Sequence, residues 1–503
     1  MDKSILEVRM DKLAENVDLF SLLSDPDLLR SQAYIAGEWV DSKAKKTFNV
    51  MNPATSQTIT AVSDLGVDEA RIAIDSAHEA QKGWAAKTGK ERALILNKLY
   101  NLMIENADDL AKILTAEMGK PLSEAKGEIL YGASFLEFFG EEAKRIYGET
   151  IPGHQPDKKL VVIKQPIGVV TSITPWNFPN AMITRKLGPA LAAGCTFVAR
   201  PARETPLSAL AIAVLAERAG LPKGVFSMLT SSKSQAIGKE FCSNPKVRKL
   251  TFTGSTEVGK ILLKQGSEQV LKMSMELGGN APFIVFDDAD LDSAVEGAII
   301  SKYRNNGQTC VCANRIYVQD QVYDSFAEKL GNAIEKFKIG NGLDSDVTLG
   351  PLITEDAVLK VEQHISDALS KGARLVSGGK RHSLGGLFFE PTMLTEVSRE
   401  MIVATDETFG PVAPLFRFQD EEDVIDQAND TIFGLAAYFF AKDLSRVWRV
   451  SEALEYGMVG VNTGLISTEL APFGGVKQSG LGREGSKHGI DEFLEMKYIC
   501  MSV

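Results

Sequence analysis

Apolar positions recur at three- and four-residue spacing across residues 66–146. Val67-Asp68-Glu69-Ala70 opens the series, which continues through Ala73, Ile74 and Ala77. A second run, from Arg92 to Leu114, repeats Leu, Ile and Met at the same interval. That period gives one apolar face per helix, so the segment is predicted helical. The character changes at 147. Ile151-Pro152-Gly153-His154 reads as a turn, and Lys158-Lys159-Leu160-Val161-Val162-Ile163-Lys164 as an apolar strand flanked by charge. A lone apolar strand of this kind needs a partner sheet.

Short apolar runs then alternate with helical ones. Gly168 to Ile173, Thr196 to Ala199, Val225 to Leu229 and Lys249 to Thr253 read as buried strands. Helices are predicted from about Ala181, from Ser208 to Ala219, and after Gly254-Ser255-Thr256. Strands alternating with helices imply a parallel sheet. A second alternation begins at Ala281 to Phe286 and runs to about 470; the tail ends in an apolar strand, Tyr498 to Val503. The expected fold class is α/β.

Composition narrows the field. At 503 residues the chain exceeds one compact core, so two or three domains are expected. Hydrophobic content of 44% and charged content of 24% are those of a soluble globular protein. A net charge of -11 disfavours nucleic acid and anionic membranes as partners. No apolar run approaches the roughly 20 residues that span a bilayer; the most apolar helical stretch, Leu207 to Leu215, stops at Glu217 and Arg218. Asp2, Lys3, Glu7, Arg9, Asp11, Lys12 and Glu15 argue against a signal or transit peptide. Five scattered cysteines form no disulfide framework, so a cytoplasmic location is expected. The five histidines are isolated, and no metal-ligand spacing occurs.

Two glycine motifs mimic phosphate loops. Gly254-Ser-Thr-Glu-Val-Gly259-Lys260 places Ile261 where a triphosphate loop needs Ser or Thr. It retains a Gly-Ser turn at a helix start, which suits a pyrophosphate. Gly480-Leu-Gly482-Arg-Glu-Gly485 fits the dinucleotide fingerprint but follows no strand. Arg200-Pro201-Ala202-Arg203 follows a strand directly, where two guanidinium groups form a candidate anion site.

The candidate nucleophile is Cys310, in Arg304-Asn305-Asn306-Gly307-Gln308-Thr309-Cys310-Val311-Cys312-Ala313, a small and polar stretch. Such a cysteine needs a depressed pKa or a base, donors for an oxyanion, and a route for releasing the covalent intermediate. Glu276, before Gly278-Gly279, offers a carboxylate; Asn177, in Thr174-Pro175-Trp176-Asn177-Phe178-Pro179, offers an amide at a strand's end.

These motifs, with Phe252-Thr-Gly-Ser-Thr256, Glu407-Thr-Phe-Gly-Pro411 and Pro472-Phe-Gly-Gly475, resemble the aldehyde dehydrogenase superfamily in order and spacing over nearly the whole chain. Ser274 to Phe286 and Gly307 to Arg315 are similar to its bacterial, NADP-preferring succinate-semialdehyde branch. The resemblance implies a Rossmann-type cofactor domain (20–146 and 167–277), an α/β catalytic domain (278–470) and a β-strand oligomerisation arm (147–166 and 487–503). It implies a homodimer or homotetramer that oxidises succinate semialdehyde to succinate with NADP+, or with NAD+. Glutarate semialdehyde, or a broader range of ω-carboxy aldehydes, is the alternative, because one methylene changes binding by only about 1–3 kcal/mol. A thiol-esterase or a non-catalytic protein on the same scaffold are rivals from other classes.

By the same resemblance Cys310 is nucleophile, Asn177 and the Cys310 N–H hold the oxyanion, and Glu276 activates water. Trp176, Asn177, Arg200, Pro201, Ala202, Arg203, Gly254, Ser255, Leu277, Glu407 and Phe409 would hold the cofactor. Arg200 stands where the family usually has Lys, and Arg203 where many NAD-preferring relatives have Glu nearby. An arginine there can pair with a 2′-phosphate. Arg185, Arg304 and Ser467 would hold the substrate's distal carboxylate, with Thr468 a further helper. Cys312 is a candidate redox partner for Cys310, although a bridge two residues apart is strained.

Overall fold

The computed structural model describes residues 18–503. The charged N-terminal residues used above against a leader peptide lie outside them. Among the described residues no helix is long and apolar enough to cross a membrane.

The first sheet has eight strands. Its parallel centre runs Lys272–Glu276, Val247–Thr253, Val169–Ile173, Thr196–Arg200, Phe226–Met228. Val169–Ile173 and Thr196–Arg200 are buried throughout, as strands covered by helices on both faces must be. Ala181–Ala193 and Pro206–Ala219 are two of the covering helices. Two carboxyl ends matter later. Glu276 ends one strand, and Trp176-Asn177 follow another.

The helical region comprises Val67–Ala85, Gly89–Glu105, Ala107–Met118 and Leu122–Glu142. The apolar repeat from Arg92 to Leu114 is thus shared by two helices, parted at Asn106. Thr88 and Glu91 form a capping box that fixes the start of the second helix. The hairpin strands Ala33–Ile35 with Glu38–Val40, and Thr47–Asn52 with Gln57–Ser63, were not legible from periodicity. The first pair has three residues per strand, and in Thr47–Asn52 only Phe48 and Val50 mark the alternation.

The second sheet runs Arg374–Ser377, Thr392–Thr395, Val412–Phe418, Ala313–Gln319, Ala281–Val285, Ala436–Phe440, Met458–Val461. Separate apolar clusters cover its two faces. The chain then returns to the first sheet: Gly480–Leu481 pairs antiparallel with Met275 and Glu276. This is what the false dinucleotide fingerprint builds, a sheet edge followed by turns at Gly482 (φ 85°) and Gly485 (φ 71°). A third, three-stranded sheet joins Leu494–Ser502 to Lys158–Pro166 and Glu149–Ile151, all antiparallel.

Candidate active site

Three consecutive left-handed residues build the Cys310 loop: Asn305 (φ 53°), Asn306 (φ 56°) and Gly307 (φ 75°). Asn and Gly tolerate that region best. At Gly307 a side chain is excluded outright, since a Cβ would lie 2.2 Å from the Gly410 carbonyl oxygen. The amides then pin the loop. Asn305 Nδ2 donates to the carbonyls of Asn177 (3.0 Å) and Gln308 (3.2 Å), and Asn306 Nδ2 to Gly350 O (2.8 Å). Gln308 Oε1 accepts from Ile353 N at 3.0 Å.

Asn177 is held from the other side. Buried Lys120 donates to its carbonyl oxygen at 2.8 Å and pairs with Glu128 at 2.6 Å. Glu128 Oε1 also accepts the N–H groups of Asn180 and Ala181, fixing the start of helix Ala181–Ala193. The side-chain amide of Asn177 donates one proton to Gln308 O at 3.0 Å. An amide nitrogen carries a second proton, and Asn177 lines the same cleft as Cys310.

Cys310 is partly exposed in its cleft. Burial nevertheless pushes its thiol up to about 12, against the attraction of Arg185 and Arg304. The shift favours the neutral thiol, opposite to a depressed pKa. Glu276 is buried, and neither carboxylate oxygen has a hydrogen-bond partner. Burial, and next the charge of Glu484, raise it well above the usual carboxylate range. Its strand end lies against Gly474, where a Cβ would come within 3.0 Å of Glu276 Oε1. An unpaired, proton-hungry carboxylate suits a general base.

Trp176, Asn177, Gly254, Ser255, Leu277, Glu407 and Phe409 line one cleft of about 350 Å³ together with Cys310. Met182, Asp356, Ala357, Lys360 and Thr408 also line it and were not read from the sequence. Trp176 and Phe409 meet edge to face at 5.5 Å. Ser255 caps helix Thr256–Gly266, whose N-terminus opens on the cleft. Glu407 Oε1 accepts Gly279 N–H at 3.1 Å; burial lifts its pKa to about 7. These residues fit a nicotinamide dinucleotide: a carboxylate for ribose hydroxyls, a helix N-terminus for pyrophosphate and aromatic walls.

Arg200, Pro201, Ala202 and Arg203 stand beyond that cleft's lining, at the end of strand Thr196–Arg200. Arg200 is buried and already donates to Ser231 O (2.9 Å) and Ser234 Oγ (2.6 Å), leaving Nε unpartnered. Arg203 is exposed.

The residues expected to hold the substrate tail divide. Arg304 and Ser467 line a cavity of about 280 Å³ with Phe178, Tyr131, Ile300 and Leu465. The Arg304 guanidinium lies 4.9 Å from the Phe178 ring centroid. Arg304 and Ser467 also meet Thr309 and Val311, the neighbours of Cys310, in an adjoining hollow. Arg185 is instead buried, its Nε donating to Glu484 and its Nη2 unpartnered. Burial opposes its charge, yet Glu484 holds the guanidinium above its usual range. Glu484 also pairs with Lys186, which donates to Thr253 Oγ1 at 2.6 Å. Thr468 Oγ1 bonds Glu469 at 3.3 Å. Cys312 is fully buried, with its Sγ on Lys302 O at 3.1 Å. Lys120, Glu128 and Glu484 went unread because Asn177, Asn180 and Arg185, which they hold, are far away in the chain.

A nucleotide-sized cleft with a cysteine on its wall and a buried carboxylate beside it marks an NAD(P)-dependent oxidoreductase. The profile of the aldehyde dehydrogenase family matches residues 39–499, and the chain belongs to that family. It is 65% identical over 479 residues to a glutarate-semialdehyde dehydrogenase of Pseudomonas aeruginosa, covering 95% of this chain and 99% of the relative. It is 64% identical over 481 residues to an NADP(+) succinate-semialdehyde dehydrogenase of Escherichia coli, covering 96% and 100%. A crystal structure of an E. coli NADP-dependent enzyme superposes with a TM-score of 0.95 at 64% identity, again covering 96% and 100%.

Proposed function

We propose that this enzyme oxidises succinate semialdehyde to succinate with NADP+, and more weakly with NAD+. One observation carries the reading: the Cys310 cleft adjoins a cavity in which Arg304 and Ser467 stand ready for a distal carboxylate. Likeness to semialdehyde dehydrogenases at 64–65% identity supports it.

In the proposed mechanism Cys310 Sγ gives its proton to solvent water and, as the thiolate, bonds the aldehyde carbon. The carbonyl oxygen becomes an oxyanion, held by Asn177 Nδ2 and the Cys310 N–H. A bound nicotinamide would supply the acceptor for the hydride that the carbon gives up as the oxyanion collapses to a carbonyl. A Cys310 thioester remains. Glu276 takes a proton from water, the resulting hydroxide attacks the thioester carbon, and the acid leaves as Cys310 regains its thiolate. Glu407 anchors ribose hydroxyls. Arg203, exposed and cationic, would pair with a 2′-phosphate.

Glutarate semialdehyde is the second reading, favoured by the P. aeruginosa relative. We place the enzyme in the cytoplasm, in keeping with five free cysteines. We assign it a homodimer or homotetramer, because Leu494–Ser502 is a sheet edge with exposed Met496, Tyr498 and Met501. The test is a panel of straight-chain aldehydes with and without a terminal carboxylate, against both cofactors. The expected optimum is the four-carbon semialdehyde with NADP+. An uncharged aldehyde used as well, or an NAD+ preference, overturns the corresponding part.

A further inference from the structure

The cavity beside Cys310 contains a group that neither fold nor loop explains. Tyr131 sits midway along helix Leu122–Glu142. Its ring meets Phe135 edge to face at 5.0 Å and packs on the small apolar cluster of Phe178, Ala181 and Met182. The ring is thus fully accounted for. Its hydroxyl is not: it is buried and has no hydrogen-bond partner. Buried tyrosine hydroxyls nearly always find one. The same side chain lines the cavity that holds Arg304 and Ser467.

We propose that the Tyr131 hydroxyl is a specificity-determining donor to the distal anionic group of the substrate, acting with Arg304 and Ser467. The proposal rests on the carboxylated-substrate reading above. Three observations support it. Tyr131 lines the cavity of Arg304 and Ser467 and not the cleft of Cys310, so it borders the tail of a substrate rather than its aldehyde. Arg304 acts on Tyr131 and lines the same cavity, so an anion drawn to its guanidinium arrives beside Tyr131. Burial raises the phenol above its usual range, so it stays protonated and can donate. A guanidinium supplies donors in one plane; the tyrosine and serine hydroxyls add donors from other directions, which fixes the tail's orientation as well as its charge.

The test compares wild type, Tyr131→Phe and Arg304→Ala on succinate semialdehyde and butanal, with succinate as a competitive inhibitor. Phenylalanine keeps the ring and its packing, so the thermal midpoint should stay at the wild-type value. For Tyr131→Phe, KM for succinate semialdehyde and Ki for succinate should both rise roughly tenfold, as for a lost hydrogen bond to a charged group. Its kcat, and both constants for butanal, should match wild type. An unchanged KM and Ki in Tyr131→Phe, while Arg304→Ala loses its preference for the carboxylated aldehyde, would overturn the role of the hydroxyl alone. If Arg304→Ala keeps that preference too, the anion-binding cavity itself is refuted, and the proposal with it. Equal losses on butanal would also overturn it, because they would show a purely structural role.

Discussion

Replacing Arg304 with alanine separates a clamp for an acidic tail from an ordinary surface charge. Among the described residues its guanidinium makes no ion pair; it rests over Phe178 at 4.9 Å, on the wall shared with Ser467. It is free to bind. A hydrogen bond to a charged group contributes about 1.5–3 kcal/mol. At about 1.4 kcal/mol per factor of ten, kcat/KM for succinate semialdehyde should fall roughly 10- to 150-fold. Butanal has no carboxylate to lose, so its kcat/KM should change less than about twofold. Arg185→Ala provides the contrast. Arg185 is committed to Glu484 inside the protein, and removing one partner of a buried ion pair costs about 3–5 kcal/mol of stability. That variant should lose thermal stability and turnover on both aldehydes. Initial rates of cofactor reduction, with denaturation midpoints, decide the matter. Equal losses on the two aldehydes in Arg304→Ala would refute the clamp.

Other consequences follow from the buried charges. Because the Cys310 thiol lies near 12 without cofactor, its alkylation by iodoacetamide should climb about tenfold per pH unit between about pH 6 and 9; a plateau at neutral pH would contradict the raised value. Glu276, also raised, must shed its proton to act as a base, so thioester release should speed up with pH in the same direction. Lys120→Met leaves Glu128 buried without its cation and releases the Asn177 carbonyl. It should cost about 3–5 kcal/mol in chemical denaturation and lower kcat; wild-type stability would show the pair to be idle. Cys312→Ala should keep full activity but lose recovery by thiol reductant after peroxide, if the buried Cys312 swings out to meet Cys310; unchanged recovery rules that out.

The parallel strands were legible because both their faces are covered, which leaves continuous apolar runs such as Val169–Ile173. The hairpins between 33 and 63 were not: Ala33–Ile35 and Glu38–Val40 have three residues each, and the alternation in Thr47–Asn52 rests on Phe48 and Val50 alone. Cys310, Glu276 and Asn177 were legible as motifs, each next to a glycine or proline turn that sequence displays. What holds them was not. Arg185 meets Glu484 across 299 positions and Asn177 meets Gln308 across 131. No local spacing encodes either contact. The tail-binding role expected of Arg185 came from the motif around it, and only the fold reveals that its Nε is taken. Tyr131 looks like any aromatic on an amphipathic helix until its hydroxyl is found without a partner.

The central claim is that Cys310 carries the acyl group and Glu276 activates the water that removes it. Glu276→Gln keeps the shape of the side chain and removes the base. Mixed with NADP+ and succinate semialdehyde, this variant should give a burst of one reduced cofactor per active site and then nearly stop. Mass spectrometry of the quenched protein should find one succinyl group on the peptide containing Cys310. Sustained turnover at the wild-type rate, or a burst without an adduct on Cys310, would contradict the account.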